Sequence, residues 1–195
     1  MIDLEQINRL HRDACRRWHD GEIHNPHEGL LGAACELHAC NFRLWHEEDI
    51  ARSPSAADAQ VAETKRAIDH LNGQRHAWIE KIDELLARDL QERNVRPPAD
   101  APQNTETPGS AVDRLSVLSL RLHHLEEVAS DDTADAERPR ETQDRLAICR
   151  QQHRDLTEAL TRLLEDLLAG RLRLTPYRSG KMYDDPAYNP HLGHD

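Results

Sequence analysis

Apolar residues recur along this chain at intervals of three and four, the spacing that lines side chains along one face of an α-helix. Ile7, Leu10, Ala14 and Trp18 mark a helix over 2–20, which Gly21 ends. A second helix is expected over 25–52 through Leu30, Ala34, Leu37, Leu44 and Ala51. Asn25 suits its N-cap, Pro26 its first turn, and Glu28 completes a capping box. After the break at Ser53-Pro54-Ser55, the third helix covers 57–92, with Val61, Ile68, Ile79, Ile82 and Leu86 on its stripe. The fourth covers 108–130 through Leu115, Leu118, Leu122 and Leu125, with Ser110 and Asp113 as a second capping box. The fifth covers 140–170 through Leu146, Leu156, Leu160, Leu163 and Leu167, and Gly170 fits the C′ position.

The segments between these helices carry breakers. Pro97, Pro98, Pro102 and Pro108 forbid a continuous helix and make 93–108 a long loop, a kind of segment that is often functional. Residues 131–139 form an acidic connector, and 171–195 an irregular tail draped over the helices. The pattern therefore predicts an all-α fold, one helical domain over 1–195. Four long helices form an antiparallel bundle. The helix over 2–20 packs at one side or serves dimerisation. The short link near Ser53 pairs the second and third helices antiparallel.

Composition agrees with that fold and narrows the partners. Leu and Ala dominate an apolar share of 37%, and Val, Ile and Thr are too scattered for a sheet. A net charge of −11 argues against nucleic acid and anionic membrane as partners. No apolar run reaches the length of a membrane span, and Met1-Ile2-Asp3-Leu4-Glu5 does not open a secretory signal. Cys15, Cys35, Cys40 and Cys149 form no C-x-x-C pair, so they are expected to be reduced, buried thiols of a cytoplasmic protein.

Several polar residues interrupt the apolar stripes. Asn41 has Leu37, Leu44 and Trp45 at i−4, i+3 and i+4, so it should point inward. Arg75 stands in the same relation to Leu71, Trp78 and Ile79, and Arg114 is flanked by Ala111, Val117 and Leu118. His124 shares a face with Leu120 and Val128, and His153 with Cys149 and Leu156. Lys65 and Asn72 fall on the stripe in one helical register. A neutral polar group buried without partners costs roughly 2–7 kcal/mol. Partners are therefore expected from Glu47, Glu48, Asp49, Asp69 and Asp113. Folding the second helix on the third brings Lys65 within reach of Glu48 and sets Arg75 opposite Gly32-Ala33-Ala34. The simplest account of each such residue is a satisfied structural network or a register device. So many in one bundle exceed what structure needs.

Metal and nucleotide signatures are weak. Among thirteen histidines, His46/Asp49, His123/Glu126 and His124/Glu127 have i, i+3 spacing, which permits a metal without specifying one. The Glu-x-x-His pairs of di-iron bundles do not occur. We assign no metal and name no cofactor. His24/His27 and His191/His194 suit an exposed turn and tail, and no P-loop, Gly-x-Gly-x-x-Gly or Gly-x-Ser-x-Gly is present.

Longer strings carry a family resemblance. Asn41-Phe42-Arg43-Leu44-Trp45-His46-Glu47-Glu48-Asp49 and Lys65-Arg66-Ala67-Ile68-Asp69, with Asn72 and Arg75, resemble the bacterial family called domain of unknown function 4254. So do Asn104-Thr105-Glu106-Thr107-Pro108-Gly109, Asp113-Arg114-Leu115-Ser116, and Lys181 to Pro186 with Asn189-Pro190. The resemblance covers about residues 25–190. His123-His124 departs from it, since the family pattern has one histidine there. It implies no assigned activity, only a gene context of surface-polysaccharide glycosyltransferases.

Stripe analysis and resemblance together give the candidate set Asn41, His46, Glu48, Asp49, Lys65, Asp69, Asn72, Arg75, Asn104, Glu106, Asp113, Arg114 and His124. The first functional reading is a polar interhelical pocket, closed by the Asn104 to Gly109 loop. Lys65, Arg75 and Arg114 would there meet an anionic small molecule of sugar-phosphate type. The alternative is an interaction or scaffold protein whose polar interior is purely structural. Trp18 and the tyrosines of the tail would then make the contacts of a homodimer or partner.

Overall fold

A computed structural model describes residues 2–130, 138–178, 185–190 and 192. Residues 131–137 of the acidic connector, Lys181 to Asp184, His191 and His194 lie outside the described residues. The order is α1 (Leu4–Asp20), α2 (Gly29–Ala51), α3 (Asp58–Glu92), α4 (Pro108–Ser130) and α5 (Arg138–Leu168). These helices form the all-α bundle that the periodicity predicts. No helix among the described residues is long and apolar enough to cross a membrane.

The helix over 2–20 was expected at the side of the bundle, but α1 shares its core. Asp3 caps α1 by accepting from the backbone N–H groups of Glu5 and Gln6. Its buried face, Ile7, Leu10, His11, Ala14, Cys15 and Trp18, packs on α2 and α4. Trp18 is therefore covered from within and is not available for a dimer contact.

The second helix starts later than its capping signal. Asn25 caps a turn instead: its Oδ1 accepts from the His27 N–H, and its Nδ2 donates to the Gly32 carbonyl and to Glu36. Helix α2 begins at Gly29, which takes a positive φ of 60° that favours glycine. Gly32 allows the His27 backbone to lie against the helix, where a Cβ would stand 2.6 Å from that carbonyl oxygen. From Gly32 to Leu44 nearly every residue of α2 is buried. α2 is thus a central column covered by α1, α3 and α4, and its small residues permit close approach on several sides.

α3 pairs antiparallel with α2 across residues 52–57, as expected, but Val61 on the predicted stripe is exposed. The start of α4 is pinned to α3. Gly109 donates its N–H to the buried Asp83 at 2.7 Å, and a Cβ on Gly109 would lie 2.4 Å from the Ile79 carbonyl oxygen. Thr107, rather than a Ser110/Asp113 box, caps this helix by accepting from the Ser110 N–H. At the end of α5, Gly170 has φ 69°. Its N–H reaches the Leu167 carbonyl and that of Arg171 reaches Asp166, the paired bonds of a Schellman motif. The tail then ties down: Arg173 donates to the Pro102 carbonyl, and Leu174 packs on the core.

Candidate functional site

Asp113 is the centre of a buried polar network. It sits one turn into α4 and points at α3, where Arg75 donates to it through Nε at 2.7 Å and Nη2 at 2.5 Å. This bond and the neighbouring charge hold the Arg75 guanidinium above its usual pKa. Asn41 of α2 donates from Nδ2 to Asp113 Oδ1 at 2.9 Å and to Ser116 Oγ at 3.0 Å. Ser116 Oγ is 2.8 Å from His38 Nδ1, and His38 Nε2 is 3.4 Å from the Cys15 sulfur. If Ser116 gives its hydrogen to His38, then His38 carries its proton on Nε2, toward the thiol. The network thus crosses the bundle from half-buried Arg75 to α1.

Its inner end is fully buried. His38 and His11 are fully buried and stack at 4.6 Å, and neither ring nitrogen of His11 has a hydrogen-bond partner among the described residues. Burial drives the His38 pKa down to about 3 and lowers His11 as well. Both rings are therefore neutral at pH 7. Burial also pushes the Cys15 thiol up to about 12, and Cys35 and Cys40 to about 11. These sulfurs are packing groups rather than nucleophiles.

The outer end opens on two cavities. One, of about 310 Å³, lies between α2, α3 and α4; Asn41, Trp45, Glu48, Asp49, Arg52, Asn72 and Arg75 are among its lining residues. The other, of about 660 Å³, runs between α4 and α5 and takes in Arg75, Glu106, Asp113, Arg114 and Arg121. Arg75 faces both. Its Nη1 makes no hydrogen bond among the described residues.

The predicted residues divide accordingly. Asn41, Glu48, Asp49, Asn72 and Arg75 converge on the smaller cavity, with Asp113 behind them. Arg75 lies level with Asn41 rather than opposite Gly32-Ala33-Ala34. Glu106 and Arg114 pair at 2.8 Å beside the larger cavity. Arg114 points outward, because α4 turns Asp113 inward and the adjacent position falls on the solvent side. Lys65 does not reach Glu48: it pairs with Asp69 on the exposed side of α3, while Glu48 pairs with Arg52. Asn104 is exposed, and the loop does not close with it.

His46 and His124 belong to a different cluster. Trp45 stacks on His124 at 4.7 Å, and on its far side His19, His46, His123 and His124 gather. His11, His19, His38, Ser116 and Asp83 escaped the sequence reading. For His11 and His38 the signal was present: Ile7 and Cys15 flank His11 at i±4, and Ala34 and Phe42 flank His38.

The family comparison meets this geometry. No curated protein and no solved structure matches the chain. The model of one family, described as "Protein of unknown function (DUF4254)", matches residues 32–175, which include the network from Arg75 to His38 and both cavities. On that match over most of its length, the chain belongs to the DUF4254 family.

Proposed function

We propose that the protein binds a small polyhydroxylated anion, of sugar-phosphate type, in the 310 Å³ cavity between α2, α3 and α4. One observation carries the reading. Five residues that stripe analysis or family resemblance picks out, from two different helices, line this one cavity. Its chemistry suits such a ligand. Arg75 is held rigid by Asp113 with Nη1 to spare, a preorganised donor for a phosphate. Arg52 is tied only to Glu48 across an exposed helical turn, a pair worth little and readily exchanged for a ligand oxyanion. Glu48, Asp49 and the Asn72 amide can bond hydroxyls, and Trp45 offers an apolar wall. The cavity's two cations face two acids, so an anion binds by displacing Glu48 rather than by entering a cationic hole. A sugar phosphate also accords with the surface-polysaccharide context that the resemblance implies.

Calorimetric titration with a panel of hexose phosphates, inorganic phosphate and neutral hexoses tests this. A hexose phosphate should bind more tightly than either part alone, and Asn72→Ala with Arg52→Ala should weaken it at least tenfold. No heat from any member of the panel at millimolar concentration would sink the reading.

A further inference from the structure

We propose that the imidazole cluster on the far side of Trp45 is a site for one divalent transition-metal ion of the zinc class, held by His19, His123, His124 and Glu127. Neither the cavity function nor the family match assigns it. The rings come from the last turn of α1 and from α4, with His46 of α2 beside them. His19 is the hub, its ring centroid 4.6 Å from His123, 5.1 Å from His124 and 5.2 Å from His46. One ring nitrogen each of His19 and His124 and one carboxylate oxygen of Glu127 lie within 4.8 Å of one another.

Hydrogen bonding fixes where the lone pairs are. His19 Nδ1 is 2.6 Å from the Cys15 carbonyl oxygen, which can only accept, so Nδ1 carries the hydrogen. Its Nε2 is then a bare acceptor, buried and without a partner. His124 Nδ1 likewise faces Glu127 Oε2 at 3.0 Å, leaving a buried Nε2 with no partner. His123 Nε2 lies 3.3 Å from the other carboxylate oxygen, out of line for a hydrogen bond. The buried Nε2 atoms of His19 and His124 thus have no hydrogen-bond partner among the described residues, a cost that a bound cation would remove.

His19, with one ring nitrogen bonded to a carbonyl and the other free, has the usual arrangement of metal-bound histidine. Imidazoles with one carboxylate and no thiolate select zinc, cobalt, nickel or copper over calcium and magnesium. Neighbouring ligands in a tetrahedral zinc shell stand about 3.3 Å apart, given bonds of about 2.0–2.1 Å. Glu127 is half exposed, so its rotation can draw the set together. Phe42 and Trp45 wall the cluster with aromatic surface and hold the rings upright.

The test is metal binding by the full chain. Protein stripped with a chelator is titrated with Zn²⁺ in competition with a coloured chelator, and with Co²⁺ followed by its visible absorption. One equivalent should bind, with the intense Co²⁺ spectrum of a four-coordinate site and a rise in Tm. His19→Ala and His124→Ala should each weaken binding at least a hundredfold, and Glu127→Gln at least tenfold. A His24→Ala/His27→Ala variant and a His191→Ala/His194→Ala variant should bind like the parent. Circular dichroism of the metal-free variants checks that each still folds. Conservative His124→Gln serves in place of His124→Ala if that one does not. Absence of stoichiometric binding overturns the proposal. So does binding that survives both His19 and His124 substitutions, or binding lost with the turn or tail histidines. A sugar-phosphate titration of the same variants separates this site from the cavity.

Discussion

The bundle holds two polar clusters on either side of Trp45, and they are built on opposite principles. Around Asp113, donors meet acceptors in sequence from Arg75 through Asn41 and Ser116 to His38. Around His19, the buried Nε2 atoms of His19 and His124 have no partner among the described residues. The first cluster is complete within the protein, and its worth is in what it holds still. The second is incomplete and calls for something from outside. Sequence composition makes the two look alike, since both are polar residues on apolar stripes. What separates them is the direction of each hydrogen.

The comparison can be broken most sharply at Asp113. Asp113→Ala strands the Arg75 charge and the Asn41 amide together, and should cost about 3 kcal/mol or more in urea unfolding. A loss within 0.5 kcal/mol would mean that the network holds nothing in place.

Low pH is the next lever. His11 and His38 have folded pKa values below the unfolded value of 6.5. The unfolded chain therefore binds more protons in acid. Their contribution is fully present above pH 6.5 and is lost as the pH falls toward about 3, the value for His38. His38 should take away about 1.4 kcal/mol per pH unit within that window, and His11 adds a loss of the same sign. Unfolding curves at a series of pH values measure the slope, and a flat stability between pH 6.5 and 4.5 would contradict it.

His11 sharpens the point, because both its ring nitrogens are buried without partners. His11→Leu should stabilise the fold by about 1 kcal/mol at pH 7 and reduce the acid slope. If it destabilises instead, the stacking on His38 outweighs the orphaned nitrogens. The smallest effect is expected at Lys65, paired with Asp69 but with 64% of its side chain exposed. Lys65→Ala should change the melting free energy by less than about 0.5 kcal/mol.

The helices and much of the cavity were legible in the sequence. Asn41 and Arg75 each have apolar residues on both sides of their helical face, and they point inward as that pattern requires. Lys65 falls on the stripe in one register only, and Arg114 is flanked by Ala111, Val117 and Leu118, yet both stand outside, because a long charged side chain beside a stripe can turn to water. Asp113 looked like half of a capping box. Its true partner lies on another helix 38 positions away, a pairing that no local pattern encodes. The start of α2 misled for a related reason: Asn25 spends its amide on Gly32 and Glu36, and the positive φ of Gly29 places the first helical turn there. The histidine cluster was half visible. His46 and His124 carried a signal within their own helices, whereas their meeting with His19 depends on how α1 crosses α4.

Trp45 belongs to both halves of the molecule. It lines the cavity, and its ring lies flat on His124, 14° from parallel. Whatever shifts that indole on one side shifts it on the other. Occupancy of the cavity and occupancy of the histidine cluster thus share one chromophore, and tryptophan fluorescence is the common gauge on which both can be read. Any coupling between the two through that ring is, by linkage, equal in the two directions.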